Sequence, residues 1–205
     1  MIPRYQKILF AILLIASLGM GFKLWQLRDR AHKRLLTGES SAPTAAPVVT
    51  PAEQATLVAA DDMDNSLVSQ VHTLPLPADP GSRARAILGR LLDLYAAPRA
   101  THPVPGGAAS VAQVFLLPVP DAKNKTGQLA VVDLTGTFAA SHPSGLETES
   151  LTVLSICATL HANLPAVTEV RFLVDGQPRP TLAGHADLTR TYLTSDVIST
   201  EGTRQ

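Results

Sequence analysis

Residues 144–176, SGLETESLTVLSICATLHANLPAVTEVRFLVDG, decide the reading of the fold. Ser144 and Glu147 have the spacing of a capping box, in which each side chain satisfies a backbone N–H left orphaned at a helix start. Glu149 adds negative charge in the first turn, where the helix dipole favours it. Val153, Ile156, Cys157, Leu160 and Leu164 recur at helical spacing, and Pro165 ends the run. Val167 to Val174 then alternates faces as a half-buried strand does, and Asp175-Gly176 is a tight-turn signal.

Upstream, Gln128 to Thr135 and Val111 to Pro118 read as two strands of a hairpin joined through a turn at Asp121 to Gly127. Phe138, just beyond, is expected to anchor the following loop in the core. Further back, Ala84, Ile87, Leu88, Leu91, Leu92 and Tyr95 form the apolar stripe of a helix capped by Ser82 and stopped by Pro98. Ser66 to Pro77 alternates well enough for a strand ended by Pro75 and Pro77. Downstream, Thr181 to Leu188 is expected to return along Val167–Val174 before a polar tail, residues 194–205. The elements, in β-α-β-β-α-β order, give an α+β class: a two-layer domain, residues 63–193, with two helices on one face of a small mixed sheet. The expected edge strands are Leu67–Leu74 and Val167–Val174.

The N-terminal part is of another kind. From Ile8 to Phe22 there is no charge, and extension to Leu27 brings the segment to the roughly 20 residues that cross a hydrocarbon core. Tyr5 and Trp25 suit the two interfacial belts, and Lys23 lies near one end, where its stem can reach the headgroups. A cleaved signal peptide is the alternative, but Ala16-Ser17-Leu18 and Gly19-Met20-Gly21 match a cleavage site poorly. Residues 1–36 are therefore read as one uncleaved transmembrane helix, Ile8–Leu27, with a basic juxtamembrane continuation. More basic residues follow the segment (Lys23, Arg28, Arg30, Lys33, Arg34) than precede it (Arg4, Lys7), which by charge alone would keep the body in the cytoplasm. Residues 37–62, rich in Pro, Ala, Ser and Thr, read as a semi-extended linker.

The 205 residues carry 17 basic and 17 acidic side chains, yet seven of the basic ones lie in the first 34 positions. The remainder is mildly acidic and offers no basic face to phosphates, which excludes a nucleic-acid reader. Aromatics make up 4% of the chain, so the core rests on Val, Leu, Ile and Ala.

No set of residues carries recognisable chemistry. Cys157 is alone, which excludes an intramolecular disulfide and a multi-cysteine zinc site, and its apolar neighbours make it a small buried hydrophobe. His32, His72, His102, His142, His161 and His185 form no His-Glu-x-x-His motif. There is no G-x-S-x-G elbow, and Gly106-Gly107 lacks the Lys-Ser/Thr of a phosphate loop. Asp133 and Asp175 are the one imaginable carboxylate pair, but turn geometry alone accounts for Asp at position 175. No catalytic, cofactor-binding or metal-ligating residue is assigned, no cofactor is expected, and the chain is read as not an enzyme.

Four stretches, LPLPADPGSRARAILGRLLD (74–93), AVVDLTGTF (130–138), ETESLTVLSICATLHANLP (147–165) and VTEVRFLVDGQP (167–178), together resemble the GerMN domain. The last two match the family's pattern of a helix ending in a threonine-leucine pair (Thr159, Leu160), a proline turn, and a strand running into Asp-Gly. The resemblance spans about Leu67 to Leu193 and implies an extracytoplasmic, non-catalytic interaction domain, similar to the ring-building modules of sporulation complexes. The expectation that follows is a single-pass protein of the bacterial inner membrane, its body outside the cytoplasm. It would contact membrane through Ile8–Leu27 and a protein partner or a second copy through the domain. The alternatives are an extracytoplasmic ligand- or cell-wall-binding domain and, behind it, a hydrolase with an unrecognised site.

Overall fold

Ala52 opens the first strand, ten residues ahead of where composition places the end of the linker. The computed structural model describes residues 52–120 and 126–195, together with positions 17, 20 and 23, which are helical. The chain divides into two units, Met1–Val48 and Val49–Gln205, and the elements below belong to the second. The segment Ile8–Leu27, apart from those three positions, lies outside the described residues, as do most of the linker, the hairpin turn 121–125 and the tail from 196. Among the described residues no helix is long and apolar enough to cross a membrane.

β1 (Ala52–Asp61) pairs antiparallel with β2 (Ser66–Pro75) as a two-stranded sheet. The reading of residues 52–62 as part of the linker is corrected here: Ala55, Leu57, Val58, Ala59 and Ala60 are all buried. A strand covered on both faces has no polar alternation to betray it, and its alanines resemble linker composition.

α1 (Pro80–Tyr95) buries the six residues of the expected stripe. Its cap is Asp79 rather than Ser82: the Asp79 carboxylate accepts from the Ser82 N–H at 2.7 Å, and Pro80 occupies the first turn, where no donor is lost. A 3-10 turn at Gly107–Ser110 leads into β3 (Val111–Pro120), which pairs antiparallel with β4 (Thr126–Leu134). A short helix α2 (Gly136–Ser141) buries Phe138, as expected. α3 (Leu146–Asn163) follows, then β5 (Val167–Val174), parallel to β4, and the two-residue β6 (Tyr192–Leu193) antiparallel to β5.

Among the described residues of the unit Val49–Gln205, the single mixed sheet with two helices is thus replaced by two sheets and three α-helices, with the class still α+β. The four-stranded sheet has the order β3-β4-β5-β6. Its inner face, Val114, Ala130, Val132, Leu134, Val170 and Phe172, is buried. α1 packs on β3 and on α3, and α3 lies along β1 and reaches β5. The parallel β4–β5 pair requires the crossover that α2 and α3 supply.

The second edge of β1 is closed by side chains instead of by a strand. Asn163 accepts from the Thr56 N–H at 2.9 Å and donates to the Thr56 carbonyl at 2.7 Å. Thr159, one helical turn earlier, accepts from the Val58 N–H at 2.9 Å. The Tyr95 hydroxyl accepts from the Ala60 N–H at 2.9 Å, and Thr101 donates to the Ala60 carbonyl at 3.0 Å. Residues four apart on a helix are separated by about 6 Å, close to the roughly 6.8 Å of two strand residues, so an i, i+4 pair can follow alternate peptides of a strand. β2 is left as the free edge, as expected for Leu67–Leu74, whereas β6 covers one end of β5.

Thr181 to Leu188 does not return along β5. Its Ala183, His185 and Ala186 N–H groups donate to the Glu149 carboxylate, each at 2.9 Å, so they have no strand to pair with. Tyr192–Leu193 takes the place beside β5 instead.

Candidate functional site

The capping box is the first sequence-derived motif to be rearranged. Gly145, not Ser144, is the N-cap residue of α3 and has no side-chain cap. Glu149 reaches back to the Gly145 N–H at 3.2 Å, the role expected of Glu147. Glu149 is fully buried and also accepts from the His185 ring at 2.9 Å. Burial pushes its pKa up, but the backbone N–H groups of Ala183, His185 and Ala186 and the His185 ring outweigh it and hold the carboxyl down at about 2. A carboxylate so held does not exchange protons near neutral pH. It fastens the 181–188 segment to the start of α3.

A second cluster has the form of a nucleophile, a base and an orienting acid. His102 Nδ1 lies 2.5 Å from Asp62 Oδ1, and His102 Nε2 lies 2.6 Å from the Thr152 hydroxyl. The resemblance to a hydrolytic triad stops at access. Thr152 and His102 are fully buried, and the same hydroxyl also meets His142 Nε2 at 2.8 Å and the Thr148 carbonyl at 3.1 Å. His142 Nδ1 meets the Pro143 carbonyl at 2.8 Å, and burial keeps the pKa of this ring below its ordinary value. Both nitrogens of each ring are taken up by protein atoms, leaving no lone pair for a metal. The cluster ties the β1–β2 turn, the loop after α1 and the start of α3 together.

Asp133 and Asp175 are brought to one end of the parallel strands but serve the backbone. Asp175 accepts from the Gly136 N–H and Asp133 from the Gly176 N–H, each at 2.8 Å. Gly176 has φ +72, and a Cβ at Gly136 would meet Asp175 at 2.2 Å, so this reciprocal clasp needs both glycines. Cys157 is fully buried, and burial pushes its thiol pKa far up. His161 meets the Val167 carbonyl at 3.2 Å, His72 stands on β2 beside Gln70, and His32 lies outside the described residues. Among the described residues no three His, Cys, Asp or Glu side chains converge on a metal-binding geometry.

Among the described residues two surfaces stand out. A groove of about 450 Å³ runs between the end of β2 and α1, lined by Leu74, Leu76, Ser82, Arg85, Arg90 and Asp93 among others. The other is the outer face of the four-stranded sheet, where Phe115 and Leu117 are each 49% exposed and Leu193 46%, beside the half-buried Leu129, Val131 and Leu173. The sequence carried a signal for this face: residues 114–119 and 129–132 are nearly continuous apolar runs, with no polar alternation to mark a solvated side.

The chain is similar to several solved structures at low sequence identity. The tandem GerMN domains of the sporulation protein GerM from Bacillus subtilis align at 16% identity and a TM-score of 0.42, over 71% of this chain and 47% of that one. The chain therefore spans about half the length of that tandem structure. The first GerMN domain of the same protein aligns at 18% identity and a TM-score of 0.38, over 69% of this chain and 96% of that one. A putative lipoprotein from Clostridium perfringens gives 19% identity and a TM-score of 0.35, over 77% and 97%. No curated protein matches. The family model Germane, described as sporulation and spore germination, matches residues 47–180, well over half of the chain and including all of β1. The chain belongs to the Germane (GerMN) family.

Proposed function

We propose that this chain is a non-catalytic interaction module of the bacterial cell envelope, held in the inner membrane by Ile8–Leu27, with its GerMN domain outside the cytoplasm and engaged in a protein assembly. One contrast carries the reading. The buried side chains capable of chemistry, Glu149, His102, His142 and Thr152, are engaged by the protein's own atoms, while the outer face of the four-stranded sheet leaves large apolar side chains half exposed. Exposed contiguous apolar surface of this kind marks contact sites. The apolar run from Ile8 supplies the tether, and family membership supports the location against the charge asymmetry around that run.

A reporter fused after Gln205 that works only outside the cytoplasm is expected to be active. Activity from a cytoplasm-only reporter at the same position would contradict the placement.

The groove favours a second reading, ligand or cell-wall binding, because Arg85 and Arg90 line it with one acid, Asp93. Incubation of the full chain, solubilised in detergent, with cell-wall material separates the two. The first reading predicts no retention. Retention that R85E and R90E abolish would establish the second.

A further inference from the structure

The outer face of the four-stranded sheet is ordered about one of its own cross-strand rows. Leu116, Ala130 and Val170 lie opposite one another on β3, β4 and β5, and Ala130 and Val170 point into the core. The next outward-facing row on one side is Phe115, Val131 and Arg171, and on the other it is Leu117, Leu129 and Glu169. Each row runs apolar, apolar, charged from β3 to β5, and the two charges have opposite sign. Arg171 is exposed and Glu169 half-buried, and among the described residues neither takes part in an ion pair.

We propose that this face packs on the same face of a second copy of the chain, about a two-fold axis running along the Leu116–Ala130–Val170 row. Such an axis lies in the plane of the interface and turns one sheet over onto the other with its strands reversed. Phe115 then covers the partner's Leu117, and Val131 covers the partner's Leu129. Arg171 meets the partner's Glu169, and the symmetry repeats each contact. The same axis satisfies all three strands because their registers coincide at that row. Sheets stacked face to face interdigitate side chains in this way, and a two-fold interface is self-complementary by construction. Charge order selects the occupant. A surface without the opposite order at the same two-residue spacing would leave Arg171 or Glu169 desolvated and unpaired, which is costly.

The proposal rests on the reading of the chain as an interaction module and specifies its partner. Sedimentation velocity of the full chain in detergent, over a range of concentrations, tests it. A monomer–dimer equilibrium is expected. R171E and E169R should each weaken the dimer by about tenfold or more, since each sets like charges against one another across the interface. The double variant E169R/R171E keeps the charges complementary under the two-fold and should restore dimerisation. R171E mixed with E169R should form a heterodimer. Both side chains face outward, so circular dichroism should not change. A monomeric wild type overturns the proposal, as does a dimer indifferent to these variants, which would associate elsewhere. Protection of Phe115 from labelling in a monomer overturns it too, since another part of the chain would then cover the face. A monomer that still crosslinks to another protein refutes self-pairing and leaves the proposed function standing.

Discussion

At Glu149 the local sequence indicates charge at a helix start, and the fold makes of it a buried hub. The groups that hold it, the Ala183, His185 and Ala186 N–H donors, lie 34 to 37 positions away, beyond any local pattern. E149Q keeps the shape but turns an amide N–H₂ toward backbone donors, and it should cost about 3 kcal/mol in a urea titration. The pH dependence follows in sign from the depressed pKa. The contribution of Glu149 is complete above its ordinary value near 4.5 and is lost as pH falls through about 2. In E149Q the acid limb of the stability profile should flatten by about 3 kcal/mol between those limits. His142 acts in the same direction at higher pH: burial keeps its ring neutral in the fold, so its contribution begins to fall below about pH 6.5. Cys157 was legible from sequence, because its neighbours on the helix stripe are apolar. In the folded chain it should resist a thiol reagent, and it should react at the rate of unfolding; prompt labelling of the native protein would contradict its burial.

Among the elements, apolar spacing located α1, α3 and β5, whose stripes are largely buried, and turn residues bounded β2, β3 and β4. Spacing failed at β1, whose two faces are both covered, and at Thr181–Leu188, whose backbone donors turn to Glu149. The caps shifted for a local reason: Asp79 lies three residues before Ser82 and Gly145 one after Ser144, and cap identity depends on backbone angles that spacing does not encode. The side-chain ladder from α3 to β1 makes a prediction at this scale. N163A removes both partners of the Thr56 peptide and should cost about 2 kcal/mol; T159V orphans the Val58 N–H at a similar cost. Amide exchange at Thr56 and Val58 should accelerate in these variants while exchange in β4 and β5 stays slow. Uniform acceleration throughout would mean that the ladder has no separate role.

The whole molecule combines features of unequal legibility. The α+β class and the family were readable from residues 130–178, where core and turn positions follow in order. The division into two sheets was not, since it depends on which strands α3 keeps apart. The Asp62–His102–Thr152 cluster was not legible, because its members lie 40 and 50 positions apart. The contact face emerges only when the registers of β3, β4 and β5 are laid side by side. That face bears the central claim, that the domain works by holding protein. A photoactivatable residue in place of Phe115, carried by the full chain in intact cells, tests it most directly. The account predicts protein adducts from position 115 and none from the equivalent substitution at Arg99, on the loop after α1. No adduct at position 115, with the chain folded and present in the membrane, would contradict it.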